Sequence, residues 1–194
     1  MDKPQNRRKK LPFLPQNRDQ WRQVALRYLE RFEAPAARVE KVLKMRAMRH
    51  KALIPEVEED IRSVVDDLCQ LKLIDDNRFA EIRSGGLHRR GMGPRAIVQD
   101  LAMRGVAQDI INSQVDDSPY ALREAVVIAA RKKRVGPYRS GRSLERWGSE
   151  REKQFQREIG VLARLGHNLD AAKYVIEAED EERLLNWLEE VNTE

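Results

Sequence analysis

The chain has 194 residues, of which 36% are charged and 41% are apolar, so it holds enough apolar residues for a core and is not globally disordered. That length allows one domain or a short array of small repeats, and it excludes two full enzyme domains. The net charge of +5 is spread unevenly, with +4 in residues 1–10 and −7 in residues 177–194. The basic residues before the acidic C-terminal segment indicate a partner that is either a polyanion or a protein with an acidic surface. The alternative is that the charges only solvate the surfaces of helices.

The spacing of apolar residues predicts helices along almost the whole chain. The first apolar stripe runs from Trp21 through Tyr28 to Phe32 at intervals of three and four residues. Similar stripes begin at Val57 and Phe155. Because no segment alternates convincingly between apolar and polar residues, and no Asn-Gly or Asp-Gly turn occurs, we predict an all-α protein. The predicted helices are 19–33, 35–48, 55–72, 76–90, 94–104, 107–116, 119–134, 150–165, 168–179 and 182–191.

Prolines and glycines mark where these helices begin and end. A proline is tolerated in the first helical turn, where the missing N–H has no partner within the helix. Ser118 is a good N-cap before its proline. Gly105 and Gly166 each follow a periodic segment, as expected of a residue in the left-handed conformation after a helix. The prolines that open predicted helices are Pro35, Pro55, Pro94 and Pro119.

A shift of 61 residues superposes two parts of the sequence. Each part contains a helix that ends in Leu-Ala-x-x-Gly, followed by an aspartate near the next helix start. The matching glycines are Gly105 and Gly166, and the matching aspartates are Asp109 and Asp170. Since each three-helix unit buries little surface alone, we expect three stacked three-helix repeats in an elongated, solenoid-like body curved to the right or to the left.

This repeat pattern predicts five segments. A basic flexible arm occupies residues 1–17, and an acidic C-terminal helix occupies residues 181–194. Between them lie repeat 1 (18–74), repeat 2 (75–117) and repeat 3 (118–180). Repeat 3 includes a basic loop at residues 135–149.

The sequence shows no constellation of catalytic or metal-binding residues. The three histidines, His50, His88 and His167, are scattered, and neither a nucleophile–base pair nor a metal-ligand spacing is evident. The single cysteine, Cys69, excludes an intramolecular disulfide and favours a reducing compartment. The apolar runs are too short to span a bilayer. We therefore expect a cytoplasmic, non-enzymatic protein with no cofactor, no metal, no small-molecule substrate and no membrane partner.

Positive charge is concentrated in three segments. Residues 38–51 carry a net charge of +5, residues 83–104 carry +4 and residues 131–157 carry +7. If the repeats stack, the three segments can merge into one basic stripe that suits a nucleoprotein surface. A tryptophan in the last segment fits base stacking or a protein contact. The candidate partner contacts are Arg89, Arg90, Arg95, Lys132, Lys133, Arg134, Arg139 and Trp147.

One stretch, from Leu71 to Gly105, resembles the RecX family of recombination regulators. The matching parts are Leu-Ile-Asp-Asp with Arg-Phe-Ala after it, then Gly-Pro-Arg at a helix start, and Arg-Gly-Val at its end. The resemblance covers 19–180 as architecture and 71–111 as a specific motif. We expect structural roles for these residues, with an aspartate capping the fourth helix and Phe79 in the core. The motif residues are Asp75, Asp76, Arg78, Phe79, Ala80, Gly93, Pro94 and Gly105.

The resemblance implies a regulator without enzyme activity or cofactor. Members of the family are built from three-helix repeats and bind along the groove of the RecA–single-stranded DNA filament. They usually suppress its ATPase, strand exchange and coprotease activity, and thereby act in DNA recombination, DNA repair and the SOS response. The partners implied are the RecA nucleoprotein filament and, in addition, single-stranded DNA itself. From the residues alone, a helical protein that binds nucleic acid non-specifically remains the alternative function.

Overall fold

The structure is a computed structural model that describes residues 13–139 and 149–191. Within these ranges it contains ten α-helices, one 3₁₀ turn at Gly136–Tyr138 and no strand, which confirms the predicted all-α class. None of the helices in this part of the chain is both long and apolar enough to cross a membrane. The helices are α1 (Arg18–Leu29), α2 (Ala36–Arg49), α3 (Pro55–Gln70), α4 (Asp76–His88), α5 (Pro94–Met103), α6 (Gln108–Gln114), α7 (Pro119–Lys133), α8 (Ser149–Arg164), α9 (Leu169–Glu177) and α10 (Glu181–Glu189).

A side-chain N-cap precedes α1, α4, α7, α9 and α10. In each case the side-chain oxygen accepts a hydrogen bond from the backbone N–H three residues later, which satisfies an N–H that has no partner inside the helix. Asp75 is thus the cap that the sequence predicted for α4, whereas Asp76 accepts a bond from the Ala36 N–H at the start of α2, at 2.8 Å. The five capping residues are Asn17, Asp75, Ser118, Asn168 and Asp180.

The first helix is shorter than the apolar spacing predicts. It ends at Leu29 rather than at residue 33, and Phe32, which we expected on the buried stripe, is 56% exposed. Residues 30 and 31 form a turn, and residues 32–34 are not helical. Proline drives the residue before it out of the helical conformation, so α1 cannot continue through Ala34. The last apolar residue of the stripe therefore turns outward, with its ring centroid 5.2 Å from that of Tyr28.

The chain divides into two compact units, Met1–Phe79 and Ala80–Glu194. In unit 1 the helices α1, α2 and α3 pack around a core that includes Trp21, Leu43 and Leu68. Leu14 also packs against this core and Pro15 is buried, so the residues just before α1 belong to the folded unit and not to the predicted arm. Residues 1–12 of that arm lie outside the described part of the chain.

Unit 2 contains the rest of α4 and the helices α5 to α10. Its largest core cluster joins α7, α8, α9 and α10, with Leu162, Val175 and Leu184 fully buried. The acidic helix α10 packs on α7 through Trp187, whose ring stacks on Tyr174 with a centroid distance of 4.3 Å. The sequence-predicted acidic end is therefore a docked helix up to residue 189. Most of the predicted basic loop, residues 140–148, lies outside the described residues, as do residues 192–194.

Candidate interaction surface

The glycine-proline part of the motif forms a tight contact between the α4–α5 loop and the α8–α9 turn. Gly93 is the residue before α5, and its N–H donates to the Leu165 carbonyl at 2.7 Å. A Cβ on Gly93 would stand 2.5 Å from the carbonyl oxygen of Gly166. No other residue type fits at this distance, so the motif glycine is required by a backbone contact within unit 2.

The α8–α9 turn is shaped by the same contact. Gly166 has a φ of +88°, and a Cβ on it would meet the Ala96 nitrogen at 2.6 Å. His167 is 5% exposed, and its Nε2 lies 2.9 Å from the Gly91 carbonyl oxygen, which can only accept. Burial lowers the pKa of His167, so the ring is held neutral with its proton on Nε2. We call Gly91, Gly93, Gly166 and His167 the glycine junction.

The structure brings two of the predicted basic segments together beside this junction. The α4 helix ends at His88 and α7 ends at Lys133. The Lys132 ammonium donates to the Arg89 carbonyl, which fixes the two helix ends next to each other. Sequence spacing could not reveal this contact, because it joins segments more than forty residues apart. We call the resulting group the α4–α7 basic surface, and its members are Arg89, Arg90, Lys132, Lys133 and Arg134.

All five side chains of this surface are exposed, and within the described residues none of them contacts a carboxylate in an ion pair. Other cations of unit 2 have partners. Arg83 holds Asp100 with two bonds of 2.8 and 2.9 Å, and this contact keeps the pKa of Asp100 well below its usual range. Arg131, adjacent to the surface on α7, pairs with Glu181 of α10. Some stabilisation of the surface cations comes from the C-terminal ends of the helix dipoles. Their charge is otherwise available for a partner.

Arg139, which the sequence placed among the partner contacts, has a structural role instead. Two of its guanidinium nitrogens, Nε and Nη2, donate to the two oxygens of the Glu158 carboxylate at 2.7 Å, and the Glu158 side chain is only 7% exposed. Burial alone would raise the pKa of Glu158, but bonds from Arg139, Gln154 and the Gly136 N–H hold it below its ordinary value. A buried carboxylate needs such partners, so Arg139 is not available for a ligand.

The two remaining predicted contacts lie elsewhere. Arg95 is exposed at the start of α5, along a groove of about 600 Å³ that Val98, Val115 and Ala171 also line. Trp147 lies outside the described residues. Of the motif residues near α4, Phe79 and Ala80 are buried, and the exposed Arg78 lies 3.5 Å from the Glu33 carboxylate.

A metal site needs a particular geometry of its ligating side chains. No group of three or more His, Cys, Asp or Glu side chains in these ranges is close enough to hold a metal ion. Burial raises the pKa of the Cys69 thiol, which lowers its reactivity.

Comparison with known proteins points to one family. Residues 75–113 match the family model described as RecX, second three-helix domain. The chain is 30% identical over 161 residues to the regulatory protein RecX of Myxococcus xanthus, covering 80% of this chain and 83% of that protein. It is 29% identical over 159 residues to the one from Thermobifida fusca, covering 81% and 77%, and 35% identical over 119 residues to the one from Mycolicibacterium smegmatis, covering 60% of each. No solved structure gives a significant match.

Proposed function

Because the chain belongs to the RecX family of regulatory proteins, we propose that it binds the RecA–single-stranded DNA filament and inhibits its ATPase and recombination activity. It has no catalytic activity of its own in this proposal. Its effect follows from occupying the filament, so that ATP hydrolysis and strand exchange slow while it is bound. The family membership supports the RecA filament as the partner, and the charge pattern of unit 2 supports this unit as the place where the partner binds.

We assign the filament contact to the α4–α7 basic surface. Three observations support this assignment: its five cations are exposed, they have no acidic partner among the described residues, and a contact between two helix ends holds them together. Unpaired cations that converge on one surface attract an acidic partner from a distance and speed its association. The same cations add little to folding, because exposed charges contribute only about 0–1 kcal/mol each.

The alternative function is non-specific binding to nucleic acid alone. A protein that binds only phosphates loses affinity steeply as salt increases, since binding releases counterions. A filament contact adds a component that requires RecA and depends less on salt. Measuring affinity for single-stranded DNA with and without RecA over a salt series therefore distinguishes the two functions.

The assignment is tested with a triple charge reversal, Arg90→Glu, Lys133→Glu and Arg134→Glu. This variant leaves the bond between Lys132 and the Arg89 carbonyl intact. The matched control reverses three exposed cations on α8 and α9, Arg157→Glu, Arg164→Glu and Lys173→Glu, so that the net charge changes equally in both variants within unit 2.

Inhibition of RecA ATPase on single-stranded DNA should fall at least tenfold in the first variant and less than threefold in the control, with melting temperatures of both near the wild type. If the first variant is folded and still inhibits the RecA ATPase fully, the α4–α7 basic surface does not contact the filament. Failure of the wild-type protein to slow the ATPase at any ratio to RecA would contradict the proposed function itself.

A further inference from the structure

Unit 1 has a charged helix face that its own core does not use. The buried side of α2 contains Val39, Leu43 and Ala47. The opposite side exposes a row with helical spacing, in which cations and methionines share one face. We call this row the α2 cationic face, and its members are Arg38, Lys41, Met45, Met48 and Arg49.

The cations on this face are not neutralised within the described residues. The α2 helix contains one acid, Glu40, and this carboxylate pairs with Lys44 at 2.8 Å, outside the row. By contrast, the cations that face α3 are paired, since Arg18 lies 2.7 Å from the Asp67 carboxylate. Unit 1 therefore has one side where charges are matched and one where they are not.

The positive charge is dense enough for the cations to repel one another. Arg46 stands beside the row on α2, and both Arg49 and Arg27 of α1 are near its guanidinium. Partial burial and then repulsion by these two arginines lower the pKa of Arg46. Helices that only need solvation intersperse acids among their cations, whereas a cluster of unpaired cations suits a ligand with repeating negative charge.

We propose that the α2 cationic face binds single-stranded nucleic acid, with phosphates on the cations and bases against the methionines. The row extends about 16 Å along the helix at 1.5 Å per residue, which is enough for several nucleotides. The inference adds a site to the proposed function: single-stranded DNA is a partner that the family resemblance implies, and we assign its contact to these residues of unit 1.

The methionines favour nucleic acid over an acidic protein as the ligand. Met45 is 41% exposed and Met48 is 56% exposed, although both are apolar and border cations. A thioether makes favourable contacts with aromatic rings, and every base offers such a ring next to a phosphate. An acidic protein surface supplies the charge but not a regular supply of aromatic faces.

The test uses the full chain and a fluorescein-labelled oligonucleotide of thirty deoxythymidines, with binding followed by anisotropy over a potassium chloride series. The first variant combines Arg38→Glu, Lys41→Glu and Arg49→Glu. Its charge-matched control combines Arg31→Glu, Arg62→Glu and Lys72→Glu, which are exposed cations of unit 1 outside the row. Circular dichroism melting of both variants verifies that unit 1 stays folded.

We expect the affinity of the first variant to fall at least tenfold and that of the control less than threefold. The salt dependence should also flatten in the first variant, by about 0.7 in the logarithmic slope for each phosphate that the protein no longer neutralises. Equal affinity and equal slope in the two variants would overturn the proposal. So would a first variant that still binds the oligonucleotide normally but no longer binds the RecA filament, because that result would make the face a protein-binding surface.

A second variant tests the base contact without changing charge. Met45→Ala with Met48→Ala should weaken oligonucleotide binding about threefold or more and leave the salt slope unchanged, since apolar contacts release no counterions. Unchanged affinity in this variant would overturn the base contact. If the charge reversals also leave affinity unchanged while inhibition of RecA by the wild type persists, the further inference fails and the proposed function stands.

Discussion

Two regions of unit 2 adjoin each other in sequence and differ in solvent exposure and in how closely their atoms pack. The α4–α7 basic surface includes Arg90, and the next residue, Gly91, belongs to the glycine junction. In the surface, long charged side chains extend into solvent and make few contacts. In the junction, backbones approach so closely that a single Cβ does not fit at Gly93 or Gly166.

This difference explains what the family motif reports. Its glycine and proline residues lie where backbones touch or helices begin and end, so they specify how the helices of unit 2 pack. The residues that we assign to the partner lie beside the motif and are defined by charge, which many sequences can supply. A motif of this kind therefore predicts the fold more directly than it predicts the surface that binds the partner.

The largest effect that we predict comes from filling the junction. Gly166→Ala places a Cβ 2.6 Å from the Ala96 nitrogen at a φ of +88°, and should lower the free energy of unfolding by more than about 3 kcal/mol. The measurement is urea unfolding followed by circular dichroism. The control is Gly86→Ala in α4, where a Cβ would meet nothing within 4 Å.

The control should raise stability by about 0.5–1 kcal/mol, because alanine is the better helix former. A Gly166→Ala protein as stable as the Gly86→Ala protein would mean that the junction is loosely packed. The contrast between a rigid junction and an adaptable surface would then be wrong.

Local features of the sequence were sufficient to predict most of the fold. The sequence predicts each of the ten helices that lie in the described residues, because each rests on apolar spacing, a first-turn proline, a side-chain cap or a glycine stop that acts within a few residues. The apolar spacing extends α1 too far, because a turn at residues 30 and 31 ends the helix before Phe32.

The candidate site was predicted only in part, because charge along the chain does not show which cations meet a carboxylate. Arg139 and Arg134 look alike in sequence, yet one bonds the buried Glu158 and the other is exposed. The bond between Lys132 and the Arg89 carbonyl depends on how α4 and α7 pack. Such partners become visible only in three dimensions.

The second prediction separates a structural cation from the surface cations. Glu158→Gln removes the charge that faces Arg139 and should lower the free energy of unfolding by about 3 kcal/mol, since it leaves a partly buried guanidinium unpaired. The control on the same helix is Glu152→Gln, an exposed residue whose change should cost less than about 0.5 kcal/mol.

Both proteins are compared by urea unfolding and by inhibition of RecA ATPase. We expect the inhibition by folded Glu158→Gln to match that of the wild type. The two variants could instead be equally stable, with inhibition altered in Glu158→Gln alone. That result would show that Arg139 contacts the partner, as the sequence predicts.

The smallest effect that we predict is the pH dependence of the glycine junction. Burial lowers the pKa of His167, and the bond to the Gly91 carbonyl opposes this shift only in part. Near pH 6.5 and below, the unfolded chain therefore binds a proton more readily than the folded one. Folding stability is present above that pH and is lost as pH falls toward the lowered pKa of the folded state.

We expect the segments α8 and α9 to unfold at lower urea concentration at pH 5.5 than at pH 7.5, as measured by hydrogen exchange and mass spectrometry of peptides from these helices. His167→Gln keeps a side-chain donor for the Gly91 carbonyl but cannot take up a proton. This variant should therefore show a smaller difference between the two pH values than the wild type does. An unchanged pH dependence in His167→Gln would show that the buried imidazole does not couple the junction to protonation. The junction would then depend on its glycines alone, because their backbone contacts do not titrate.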